Sequence, residues 1–160
     1  VASGADRVVL TSMAINNPEG LITIIQALGA QAVMVAIPFR LIENRWIHWD
    51  LQKNRPYSEL ATSLARLGRF LPKSVEIILI SMDRDGTSAG FPVDVLRCGL
   101  EDHNYLVSGG IGNSRQIDEL ISRPEISGVC VGSRFQFVED SVRNMKRGLK
   151  TNQIRPPEEI

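Results

Sequence analysis

Residues 76–90, EIILISMDRDGTSAG, restrict the fold of this chain more than any other stretch. Ile77 to Ile80 is an apolar run without polar alternation, the pattern of a strand covered on both faces. It breaks into Asp83, Arg84, Asp85, Gly86 and Thr87, with Gly90 just beyond. The polar segment therefore reads as a loop at the carboxyl end of a buried parallel strand. That is the end where α/β barrels and open α/β sheets hold their ligands. Two carboxylates, a guanidinium and a hydroxyl gathered there suit a site, although Asp and Gly also serve such loops as turn formers.

The same unit recurs along the chain. Arg7 to Leu10 reads as a first strand, followed by the small hydroxyls Thr11 and Ser12. Asn17-Pro18 opens a helix, with Asn as N-cap and Pro in the first turn, and Gly29 closes it. Its apolar stripe is Leu21, Ile24, Ile25 and Leu28. Ala32 to Ile37 is a second buried strand. Residues 38–56 read as an inserted hairpin turning at Glu43-Asn44. There His48 is expected at the surface, with no second His or Cys nearby to complete a metal set, and Trp46 and Trp49 are expected to pack the hairpin down.

From Ser58 a helix carries Leu60, Leu64, Leu67 and Leu71 until Pro72 stops it. After the strand at residues 76–81 come a short helix over Val93–Leu100, a solvated loop holding His103, and a fourth strand, Tyr105–Val107. A helix capped by Asn113 or Ser114 follows, then a fifth strand, Gly128–Val131, and a last helix from Ser141 to Leu149. Strands alternating with helices in this way predict parallel βα units.

Two glycine loops follow the last two strands. Gly109-Gly110-Ile111-Gly112 leads into a helix, and Gly132-Ser133 offers the same chemistry. Glycines let backbone N–H groups approach an anion, although tight βα turns favour glycine on steric grounds alone. Paired after consecutive strands, they match the phosphate site that many (β/α)₈ barrels build after strands 7 and 8. The predicted fold is thus α/β, a (β/α)₈ TIM barrel of which about strands 4 to 8 are present. Residues 1–160 would be the carboxyl-terminal part of one barrel domain. A whole barrel needs roughly 250 residues, so about three βα units are expected upstream. The first-strand edge and the inner face would then be open. A dinucleotide fold is disfavoured, because no G-x-G-x-x-G follows the first strand.

Composition narrows the function classes. Hydrophobic residues make up 43% of the chain, enough for a core, and 18 basic residues balance 18 acidic ones. That balance lacks the basic footprint of a nucleic-acid binder. No apolar run approaches the roughly 20 residues of a membrane span, and no signal-peptide pattern opens the sequence. Cys98 and Cys130 make no disulfide framework, so a reducing cytoplasm is the expected compartment. No cofactor is expected. The opening Val1-Ala2-Ser3, without methionine, suggests a piece of a longer protein.

The stretches GADRVVLTSMAINNPEGL, GAQAVMVAI, SMDRDGTSAGF, VSGGIG and VGSRFQF stand in an order that resembles the cyclase subunit of imidazole glycerol phosphate synthase and its paralogues. Some of those paralogues work with an amidotransferase partner on surface-polysaccharide sugars. The resemblance implies that Asp85 is catalytic, with the far phosphate of a substrate on Gly86, Gly109, Gly110, Ile111, Gly132 and Ser133. It places the near phosphate at Thr11 and Ser12, Thr11 standing where the family has asparagine. At the amino-terminal face it implies a docked glutaminase that delivers ammonia, with Asp6 at the docking face and Arg7 and Glu76 in a charged ring. Strand-end charges also serve simply to solvate a rim.

The departures concern chemistry. The family's second catalytic aspartate falls at Pro38, which cannot transfer a proton. Its threonine before SMDRDG is Ile80, and its first-strand aspartate lies outside the chain, so the isolated chain is expected to be inactive. A non-catalytic phosphate-binding or partner-docking module is the rival reading, and an isomerase of the sister family a third.

Overall fold

The computed structural model describes residues 4–133, 135 and 141–156. It is an α/β structure with a seven-stranded, mostly parallel sheet, part of a (β/α)₈ barrel. Strand β1 is Val8–Leu10, followed by α1 (Ser12–Asn16) and α2 (Pro18–Leu28). Then come β2 (Val33–Ile42), β3 (Arg45–Asp50), β4 (Arg55–Glu59) and α3 (Leu60–Gly68). The second half holds β5 (Glu76–Ser81), a 3₁₀ segment (Val93–Cys98), β6 (Tyr105–Ser108), α4 (Ser114–Ile121), β7 (Ile126–Cys130) and α5 (Ser141–Arg147).

The helix starts and stops follow local chemistry. The Asn17 side chain accepts the Gly20 N–H at 2.9 Å, and the Asn113 side chain accepts that of Gln116 at 3.0 Å. Gly29, at φ +86°, ends α2 in a conformation that a Cβ would oppose.

Strands β1, β2, β5, β6 and β7 run parallel, with β2 against β5 from Met34–Glu76 to Phe39–Ser81. Side chains alternate between two faces. One face, with Val33, Val35, Ile37, Phe39, Ile77, Leu79 and Val107, packs under the helices; Leu21, Leu60, Leu64, Leu67, Leu120 and Met145 join the same core. The other face forms a smaller cluster of Met34, Ala36 and Ile78, flanked by Ile80 and Leu106. Val9, on β1, is half exposed.

Residues 38–56 differ from the expected exposed hairpin. Strand β2 runs on to Ile42, turns at Glu43 and Asn44 (both at positive φ), and returns as β3; β4 then adds a third antiparallel strand. Ser58 belongs to β4, so α3 begins at Leu60 rather than Ser58. Trp46 meets Phe39 edge-on at 5.5 Å, and the Arg40 guanidinium lies 4.8 Å above the Trp49 ring.

Two histidines overturn their expected exposure. His48 is 3% exposed, because the extension of β2 sets it opposite Phe39, on the side covered by α3. Its Nδ1 is 2.9 Å from Ser63 Oγ, which is 2.7 Å from Ser58 Oγ. His103 is also buried rather than solvated, its Nδ1 3.3 Å from the Glu101 carbonyl.

Burial lowers the His48 pKa from 6.5 to about 4, against the opposing pull of the Asp50 charge. Between those two pH values the unfolded chain binds a proton that the folded chain refuses. Stability contributed by neutral His48 is therefore complete above about pH 6.5 and is lost as the pH falls toward 4. The loss amounts to roughly 3 kcal/mol at most. Urea denaturation at several pH values, comparing the wild type with His48→Gln, should show a steeper acid decline in the wild type; parallel curves would refute it.

Candidate functional site

At the carboxyl ends of β5, β6 and β7 the chain encloses a cavity of about 250 Å³. Asp85, Gly86 and Ser88 line it from the loop after β5. Ser108, Gly109, Gly110 and Ile111 come from the end of β6 and its loop, and Cys130, Val131, Gly132 and Ser133 from the end of β7. Three loops distant in sequence thus meet at one mouth. The position a Cβ on Gly86 would take lies 3.9 Å from Ser133 Oγ, so the first and third loops approach closely.

The loop after β5 is set by its own side chains. Thr87 Oγ1 donates to the Arg84 carbonyl at 2.7 Å and accepts the Ala89 N–H at 3.2 Å, while Arg84 Nη1 donates to the Ala89 carbonyl. Asp83 faces away from the cavity: it accepts the Leu41 N–H at 2.8 Å and lies 3.7 Å from Arg40 Nη1. Of the four polar groups read from DRDGT, only Asp85 lines the cavity.

The second loop is pinned to the first. The Gly90 N–H donates to the Gly110 carbonyl at 2.8 Å. Gln116 bridges both, accepting the Gly112 N–H at 2.8 Å and donating to the Ser88 carbonyl at 3.1 Å. At the start of α4 the Asn113 side chain caps the Gln116 N–H, and no residue of α4 lines the cavity. The free donors lie upstream. Among the described residues, no carbonyl or side chain accepts the N–H groups of Gly86, Gly110 or Ile111. Such uncommitted donors around a small cavity suit an anion.

Ser88, Ser108, Cys130 and Val131 are lining residues that the sequence reading missed. Ser108 stands one residue past the predicted fourth strand, directly before the glycine loop, while Cys130 and Val131 are the last two residues of the predicted fifth strand, directly before Gly132. Burial pushes the Cys130 thiol above its ordinary pKa.

Thr11 and Ser12 do not line this cavity. They are half-buried at the end of β1, where Ser12 Oγ lies 3.5 Å from Asp50 Oδ1. Arg7 and Glu76 stand at the opposite, amino-terminal end of the sheet and form an ion pair, with Ser127 Oγ donating to Glu76 at 2.8 Å. Asp6 is exposed just before β1. No group of His, Cys, Asp and Glu suited to a metal ion occurs among the described residues. No described helix is long and apolar enough to cross a membrane.

Comparison with known proteins accords with this arrangement. The family described as "Histidine biosynthesis protein" matches residues 1–140. The chain belongs to that family. It is 34% identical over 157 residues to the imidazole glycerol phosphate synthase subunit HisF of Chlorobium phaeobacteroides, covering 94% of this chain and 61% of that protein. The HisF subunits of Streptococcus mutans serotype c and Flavobacterium johnsoniae are each 31% identical over 159 residues, again 95% of this chain and 61% of theirs. The chain thus spans about three-fifths of the length of these relatives.

The glycines of the family loops are not equivalent. At Gly109, φ +98°, a Cβ would come within 2.3 Å of the Ser81 carbonyl, whereas at Gly132 it would meet nothing within 4 Å. Gly109→Ala should destabilise the fold by about 2 kcal/mol or more. Gly132→Ala should stay within about 0.5 kcal/mol of wild type. Thermal or urea unfolding of the two variants checks the contrast, which fails if their losses are alike.

Proposed function

We propose that this protein acts as a cyclase-type subunit of a glutamine amidotransferase system. It takes ammonia from a glutaminase partner and uses it on a phosphorylated small molecule. The reaction is imidazole glycerol phosphate synthesis in histidine biosynthesis, or the related amidation of sugars for polysaccharide. One observation carries the reading: the Asp85 carboxylate and the uncommitted N–H groups of Gly86, Gly110 and Ile111 border one cavity.

Each part has a physical role. Phosphate oxygens accept from the backbone donors, supported by Gly109, Gly132 and the Ser133 hydroxyl, and this fixes one end of the substrate. Fixing that end holds the reacting carbon in reach of Asp85, which moves a proton as general acid or base. At the other end of the strands, exposed Asp6 and the Arg7–Glu76–Ser127 group give a charged surface suited to a docked glutaminase. Pro38 favours an altered substrate over the standard one, since it removes the proton-transferring group expected there.

Cys130 provides a direct probe of the phosphate. In a Cys98→Ser background, alkylation of Cys130 by iodoacetamide should slow about tenfold with saturating inorganic phosphate, because an anion held in the cavity covers the thiol that lines it. Ser133→Asp, which sets a carboxylate in the same cradle, should abolish the protection. Protection that persists in the Ser133→Asp variant counts against the assignment.

The proton role has its own test. In this chain joined to the amino-terminal βα units of the family barrel, turnover with ammonium salts as the nitrogen source should fall about 10²- to 10⁴-fold in Asp85→Asn, with phosphate protection of Cys130 retained. Full activity in that variant would take the proton role away from Asp85, whereas phosphate protection with no turnover in either protein would favour a phosphate-binding module.

A further inference from the structure

At the outer edge of the sheet, β1 and β3 share one edge of β2. Strand β1 pairs with residues 33–35 of β2 and β3 with residues 39–42, so the carboxyl ends of β1 and β3 meet head to head. Asp50, the last residue of β3, lies at this junction beside Ser12. It is only 3% exposed. Its Oδ1 accepts the N–H groups of Gln52 and Lys53 at 3.0 and 3.2 Å and the Ser12 hydroxyl at 3.5 Å, while Oδ2 is buried without a partner among the described residues. Among the described residues no cation forms an ion pair with it; Arg40 instead pairs with Asp83 and stacks on Trp49, its Nε buried without a partner among the described residues.

We infer that Asp50 sets the specificity of this end of the site against a second phosphate. Such an acid polarises Ser12 in one direction. With its hydrogen directed at Oδ1, the Ser12 hydroxyl offers only lone pairs outward, and a buried negative charge stands behind it. A phosphate brought to Ser12 would meet an acceptor and a like charge, each unfavourable at low local dielectric. A hydroxyl or ammonium group of a ligand would meet a good acceptor. This deepens the proposed function and rests on it: the substrate carries one phosphate, held in the glycine cavity, and a hydroxyl- or amine-bearing end at Ser12. Three strand spacings separate β1 from β6, roughly 14 Å along the sheet, a span suited to a sugar-sized molecule with a further substituent.

Two experiments test it separately from the phosphate reading. In the first, Ser12→Cys is made in a chain also carrying Cys98→Ser and Cys130→Ser, and its alkylation rate is followed against pH with and without Asp50→Asn. Asparagine keeps an oxygen for the Gln52 and Lys53 N–H groups, so a merely structural role would leave the profile in place. The inference expects the Asp50→Asn profile to move about one pH unit lower; coincident profiles overturn it, whether or not any phosphate binds.

In the second, calorimetry compares ribose 5-phosphate with ribulose 1,5-bisphosphate. The wild type should bind the bisphosphate no more tightly than the monophosphate. Asp50→Asn should raise bisphosphate affinity about tenfold relative to monophosphate affinity. A wild type that prefers the bisphosphate overturns the inference. Absence of binding by both sugars and by inorganic phosphate sinks the proposed function instead, and the alkylation profile alone then decides the role of Asp50.

Discussion

Strand β2 must find hydrogen-bonding partners on both edges over ten residues, and the rest of the molecule is arranged to supply them. Backbone N–H and C=O groups buried without partners cost as much as lost hydrogen bonds. On one edge β5 pairs with residues 34–39 of β2. On the other, β1 covers the amino-terminal half and β3 the carboxyl-terminal half. The antiparallel layer of β3 and β4 is therefore more than an appendage. It continues the edge that β1 leaves, and it carries Asp50 to the mouth beside Ser12.

The same demand ties the layer to the loop after β5. The Leu41 N–H, past the last β5 pairing, is taken by the Asp83 carboxylate at 2.8 Å. Asp83 thus ends the β2–β5 edge with a side chain where strand pairing stops. Its neighbour Asp85, two residues on, lines the cavity. In DRDG the first acid anchors the loop and the second borders the cavity. A sequence places both carboxylates at the mouth but gives no sign of this division, which depends on how far β2 runs past Ile37.

Much else was legible because it rests on local periodicity. Leu60, Leu64, Leu67 and Leu71 are all buried as their spacing requires, and the caps at Asn17 and Asn113 form as their residue types suggest. The glycine loops could be placed on one mouth because parallel βα units put every strand's carboxyl end on one side. What failed was non-local. WIHWD has no clean polar alternation, so the face of His48 could not be read from β3 alone. One signal was present: Ser63 interrupts the apolar stripe of α3, and a buried hydroxyl calls for a partner. His48 is that partner. His103 gave no such warning.

Pro38 fits a central strand because of how its neighbours pair. Proline in a central strand removes a ladder donor and is normally confined to edges or gaps. The Phe39 carbonyl accepts the Met82 N–H, so residue 39 turns its peptide groups toward β5. Successive residues face opposite edges, and position 38 therefore faces the β1–β3 side. There β1 pairs only as far as residue 35 and β3 begins at residue 39. The absent N–H of Pro38 falls in the gap between two strands, where no ladder bond is lost. Proline therefore sits at this position without weakening the sheet, and the side chains that border the junction, Ser12 and Asp50, keep it polar. Proline has no titratable group, so position 38 offers no proton at the mouth while the strands on either side stay paired around it.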